Sequence, residues 1–317
     1  FFSLVYGNAE EWIIGASAAD NGWRAVTFGN NLFVAVSNTG VGNRVMTSPD
    51  GIAWTIRSTP VDNKYISVTF GNNVFVAVSY TGSSNRVMTS PDGIAWTTRS
   101  TAVDNAWRAV TFGNNLFVAV SESGSGDRVM TSPDGVTWTI RSSVADNDWS
   151  SVTFGNNLFV AVAGTGSGNR VMTSPDGTAW TIRSSALDNE WRAVQFGNNL
   201  FVAVSGSDSV SGSHVMTSPD GIAWTIRASA ADNNWYGMTF GNNLFVAVSA
   251  GVGSNRVMTS PDGIAWTIRS TPVDNGWLGV TFGNNLFVAI GGDGSGNRVM
   301  TSSGELPTSQ PTSQPTG

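Results

Sequence analysis

The chain has 317 residues, 40% hydrophobic and only 12% charged, with 13 Trp, 37 Gly, no Cys and a net charge of −6. The missing cysteines exclude disulfides and thiolate metal sites or nucleophiles, and the acidic balance argues against nucleic acid or an anionic membrane as partner. No apolar run approaches the ~20 residues that span a bilayer.

The opening residues, FFSLVYGN, are too short and too soon polar for a whole signal peptide, so the chain reads as a mature or trimmed segment. No Asn-x-Ser/Thr sequon occurs, so no N-glycan is expected. Next comes EWIIGASAADNGW at 11–23, and from there the chain repeats itself. FGNN begins at Phe28, Phe70, Phe112, Phe154, Phe196, Phe240 and Phe282, at intervals of 42 residues except for one of 44. A period near 40–50 with several short strands per unit is the mark of propeller blades.

Each unit divides into four strand-like runs, which in the first are WRAVTF (23–28), NLFVAVS (31–37), RVMTS (44–48) and AWTIRS (53–58). LFVAV is apolar at every position, as a strand covered on both faces must be. The seventh unit stops after RVMTSSGEL without a fourth run, while Trp12 lies 42 residues before Trp54. The N-terminal segment 11–17 therefore supplies the missing strand and leaves no open edge. The predicted fold is all-β, a seven-bladed β-propeller of four-stranded blades over 1–304. Residues 305–317, a Pro/Thr/Ser/Gln run, form an extended stalk or linker.

Between the third and fourth runs stands SPDG followed by Trp. Ser48, Asp50, Gly51 and Trp54 recur as Asp92 and Trp96, Asp134 and Trp138, Asp176 and Trp180, Asp220 and Trp224, Asp262 and Trp266. Pro fixes φ, Asp accepts from backbone N–H groups, Gly takes positive φ, and Trp covers the turn. This pattern resembles the Asp-box propellers, the group of sialidase and BNR repeats, with one residue fewer between Asp and Trp than their usual form. A catalytic residue is needed once per site, whereas this Asp appears six times, so the motif reads as structural. The resemblance would imply a three-Arg clamp on a carboxylate with a Tyr–Glu pair and an Asp acid. All 15 Arg here sit at repeat positions, and Tyr6, Tyr65, Tyr80 and Tyr236 have no Glu placed beside them by any motif. His214, the lone His, replaces an Arg of the repeat and reads as a tolerated surface residue. No catalytic residue, cofactor or metal site is expected. Asp127, Asp208 and Asp293 lack the oxygen spacing of a calcium loop.

Variation concentrates in the connector between second and third strands, which includes Tyr80, Glu122 and Asp208. Propeller geometry places it on the same face as the loop joining consecutive blades, which carries a repeated Asp-Asn pair. Trp23, Tyr65, Trp107, Trp149, Trp191, Trp235 and Trp277 begin the innermost strands nearby. Either these aromatics present a ring for stacking sugars or peptides, or they pack between blades while Asp-Asn forms a turn; packing is preferred. The reading is a non-enzymatic, extracellular structural or adhesive module of a surface layer, wall or filamentous appendage. A lectin using the loop-rich face is the alternative, and a degenerate glycosidase-like enzyme a weaker one. Partners would be other extracellular proteins, copies of the chain or glycans. Thr308, Ser309, Thr312, Ser313 and Thr316 are candidate O-glycosylation sites.

Overall fold

The computed structural model describes residues 11–207, 210–251 and 255–303. These form 28 strands, β1 to β28 in chain order, arranged as seven antiparallel four-stranded sheets in a ring. In the first full blade, β2 (Trp23–Gly29) lines the axis. β3 (Leu32–Ser37), β4 (Val45–Ser48) and β5 (Thr55–Arg57) follow outward. The seven-bladed β-propeller expected from the repeat is the architecture found.

Two turns explain why the repeat folds this way. Gly29 pairs with Leu32, which leaves Asn30 and Asn31 as a two-residue hairpin loop with φ of 48° and 57°. Positive φ at both central residues gives the hairpin turn whose twist matches the flanking strands, and Asn tolerates that region better than most residues. The glycine before it answers a different need. A methyl group at Gly29 would lie 2.1 Å from Cγ of Phe70 in the next blade, so only a bare Cα lets that ring seat.

Along β3 the side chains alternate between two cores. Phe33 and Ala35 pack with Val288, Ile290 and Val299 of the last blade, whereas Val34 and Val36 pack with Tyr65, Phe75 and Met88 of the next. Each hydrophobic cluster thus lies between two blades, which accounts for the uninterrupted apolar run. Blade and neighbour bury each other, and no blade has a core of its own.

β1 (Ile13–Gly15) completes the last sheet. It pairs with β28 (Val299–Ser303), Ile13 opposite Thr301 and Ile14 opposite Met300, just as Thr55 and Ile56 pair with Thr47 and Met46. Trp12 is buried in the core shared by the last two blades. Residues 305–317, including the candidate O-glycosylation sites Thr308, Ser309, Thr312, Ser313 and Thr316, lie outside the described residues, as does Asp208.

Candidate functional site

The SPDG turns are fully engaged in holding the chain. Ser48 Oγ donates to Asp50 Oδ1 at 2.8 Å, and the same oxygen accepts from the Ile52 and Ala53 amides, each at 2.9 Å. Gly51 N donates back to Ser48 Oγ at 2.8 Å, and Trp54 Nε1 donates to the Gly51 carbonyl at 3.0 Å. Gly51 itself has φ of 76°. The same oxygen of Asp92, Asp134, Asp176, Asp220 and Asp262 accepts from the equivalent pair of amides. These bonds hold the carboxyls of Asp50 and Asp176 below the usual carboxylate range, through the Ala53 and Ala179 amides first.

On the opposite face the Asp-Asn loops act as braces rather than as simple turns. Asp62 accepts from the Gly42 amide of the preceding blade's connector at 2.7 Å, and Asn63 Nδ2 donates to the Asn85 carbonyl of its own at 2.9 Å. Arg44 fills the connector from within, donating to the carbonyls of Gly40 and Asn38. Asp20 reaches Gly296 and Arg298 of the last blade, so the stitching closes around the ring. Asp127 and Asp293 belong to this bracing, accepting from Asn105 Nδ2 and the Gly276 amide. Among the described residues no three His, Asp or Glu side chains gather as a metal site.

The structure decides the alternative left open for the inner aromatics in favour of packing, and it corrects the placement of His214. Trp23, Tyr65, Trp107, Trp149, Trp191, Trp235 and Trp277 are all 0% exposed, sandwiched between blades, so no ligand can stack on them in this arrangement. His214 is not on the surface either. It is 3% exposed, with Nδ1 3.0 Å from Ser205 Oγ and Nε2 3.8 Å from Asp232.

What reaches the axis instead is the residue after each aromatic. Trp23 pairs with Ser37 but Ala25 pairs with Val36, which leaves Arg24 as the extra residue of a β-bulge. Every inner strand repeats this bulge at the same place. A bulge re-aims a side chain, and here it turns seven side chains into one mouth: Arg24, Ile66, Arg108, Ser150, Arg192, Tyr236 and Leu278 line a cavity of about 100 Å³. The channel to which the mouth belongs, lined by all seven inner strands, holds about 290 Å³.

Around the mouth the charges are sorted blade by blade. Arg108 Nε lies 3.1 Å from Glu122 Oε2, and Arg192 pairs with Glu190 while its guanidinium stands 5.3 Å from the centre of the Tyr236 ring. Arg24 is held by an amide instead. With the Asn38 oxygen turned toward it, that atom accepts from Nε at 2.9 Å and Nη2 at 3.0 Å, while Asn38 Nδ2 donates to the Gly22 carbonyl. Burial first, then repulsion from Arg108 and Arg192, lowers the Arg24 pKa from its ordinary value. Tyr80 and Glu122, both expected from the connectors, come together here: a hydrogen bond to Glu122 pushes the Tyr80 hydroxyl up. Sequence reasoning misses this cluster: it reads the three arginines as repeat positions and sets Tyr236 aside for want of a Glu. The signal for them was variation: this one inner-strand position reads R, I, R, S, R, Y, L between nearly constant neighbours.

No protein-family model matches the chain, and no curated protein matches it in sequence. Its structure is similar to that of YCF48 bound to D1 peptide, at 16% identity and a TM-score of 0.68 over 95% of this chain and 99% of that one. It is also similar to virginiamycin B lyase from Staphylococcus aureus, at 12% identity and a TM-score of 0.77 over 92% and 98%. A third likeness is to the computationally designed Ika8 protein, at 14% identity and a TM-score of 0.61 over 91% and 98%. At these identities the likeness is one of fold: the chain is a seven-bladed β-propeller.

Proposed function

We propose that the chain is a non-catalytic interaction module of the Asp-box type, which presents its connector face to a protein partner outside the cell. Its setting would be a surface layer, wall or filamentous appendage, with the Pro/Thr/Ser/Gln run at 305–317 as its stalk. The observation that carries this reading is the division of labour between the two faces. On the SPDG face, sequence and hydrogen bonds repeat from blade to blade. On the other, a repeated brace of Asp, Asn and Arg holds connectors of differing sequence in fixed places. A rigid frame carrying variable tips is how binding surfaces are commonly built. That one structural neighbour carries a bound peptide fits a protein partner. The lectin reading loses the aromatic ring on which it rested, because those seven side chains are buried.

The chain offers a direct test. Lys64 is its single lysine, and it stands exposed in a braced loop of the connector face. An amine-reactive cross-linker applied to intact source cells should join Lys64 to a surface protein, and antibody should label those cells without permeabilisation. Labelling only after permeabilisation, with no adduct through Lys64, would refute the module and its location. A glycan array decides the lectin alternative: saturable binding to a defined sugar would favour it.

A further inference from the structure

We infer that the channel mouth is a binding site for a single carboxylate group, with Arg24 as its anchor. The site does not depend on the partner or location proposed above.

Three observations converge on it. First, of the mouth's arginines, Arg108 and Arg192 already face Glu122 and Glu190, while Arg24 has only the Asn38 amide. Asn38 takes Nε and one N–H of Nη2, so among the described residues the outer edge of the guanidinium bonds to nothing. Two parallel N–H groups in one plane match the two oxygens of a carboxylate, and such forked pairs are among the stronger hydrogen bonds proteins make. Second, Arg24 is half-buried beside two further guanidinium groups, so an incoming anion relieves repulsion that Asn38 cannot. Arg24 is thus held in place and left short of a counter-charge.

Third, the surroundings set the ligand's charge. The mouth, about 100 Å³, is ringed by the seven bulge residues and opens beside Arg24. From Arg24 a groove of about 480 Å³ leads away between the first and last blades, lined by Asp293 and by the paired Asp20 and Arg298. The rest of the ligand has room there. Loop aspartates of neighbouring blades, Asp20 and Asp62 among them, stand on the same face. Their like charge works against phosphates and polyanions and leaves a monoanion as the ligand that fits.

Titration calorimetry on the full chain tests this with N-acetylglycine, its neutral amide and galacturonate as probes. Saturable binding of an acid, absent for the amide and weakened at least tenfold by Arg24→Gln, is the expected result. Arg57→Gln, in an outer strand, should leave the affinity unchanged. Arg24→Lys keeps the charge without the fork and should weaken binding at least threefold, which covers the case of a poorly folded Arg24→Gln. Tighter binding of N-acetylglycine would assign the carboxylate to a polypeptide end, and tighter binding of galacturonate to an acidic sugar. Equal binding of the amide, affinities indifferent to Arg24, or no saturable binding of either acid would overturn the site. A failed cross-link through Lys64 would leave this result standing, because the titration needs no partner.

Discussion

Gly283 of the last blade and Phe28 of the first meet so closely that a methyl group on the glycine would lie 2.2 Å from Phe28 Cγ. The contact is the last of seven identical ones, and it joins residues 255 apart in the chain. Gly283 lies outside the positive-φ region, so its lack of a side chain serves the neighbour's ring and not its own backbone. Gly283→Ala should therefore destabilise by overpacking, by about 1–3 kcal/mol. Urea denaturation would measure it, and adding Phe28→Leu should recover part of the loss, since the two residues share one contact. A strictly additive pair would show that the clash lies elsewhere.

The strand contributed by residues 13–15 closes the ring at a different seam, inside the last blade. It replaces Thr55 and Ile56 of an ordinary blade by Ile13 and Ile14, and Gly15 stands where Arg57 bonds Thr47 Oγ1 elsewhere. The seam keeps the ladder and loses that side-chain bond. Removing residues 1–17 should expose the edge of Val299–Ser303, lower the melting temperature and promote association through that edge. A truncated chain that melts like the parent and stays monomeric would mean that the ring holds without its clasp.

The buried aromatics are alike in position but unlike in their hydrogen bonds. Trp149 Nε1 donates to the Ala145 carbonyl at 3.1 Å, whereas Trp107 Nε1 finds no partner among the described residues. The residue four before Trp107 is Val103, and the two other inner aromatics preceded there by Val, Tyr65 and Trp277, also have unpaired polar atoms. Replacing either Trp by Phe removes similar apolar area, but only Trp149→Phe breaks a bond. It should cost about 1 kcal/mol more than Trp107→Phe, and equal losses would show that the Ala145 bond contributes nothing.

How much of this was legible in the sequence depends on whether repetition or register controls the feature. The blade count and the 42-residue offset of Trp12 from Trp54 are matters of spacing, and spacing survives folding. The SPDG turn was legible because Pro, Asp and Gly have local backbone roles. The candidate site was harder. Simple alternation along WRAV assigns Trp and Arg to opposite faces but does not say which one meets the axis. A one-residue bulge after Trp23 settles it, and that bulge needs no glycine to mark it. The aromatics accordingly went into the cores, and Arg24, Arg108 and Arg192 into the mouth.

The same turn chemistry sets a pH dependence whose sign can be stated. The carboxyls of Asp50, Asp92 and Asp134 lie below their ordinary value of 3.8, chiefly because each accepts from the amide of Ala53, Ala95 or Thr137. A folded-state pKa below the unfolded one means that the stabilisation is complete above about pH 4. It is lost as pH falls from there through the folded-state values. Solvent screens these exposed groups, so each contributes little, but six equivalent turns act in the same direction. The urea midpoint should thus fall steadily below pH 4 in the parent. In a triple variant, Asp50→Asn with Asp92→Asn and Asp134→Asn, the amide oxygens still accept but no longer titrate. Its midpoint should begin lower at neutral pH and fall less steeply. Parallel curves for the two proteins would place the acid sensitivity outside the turns.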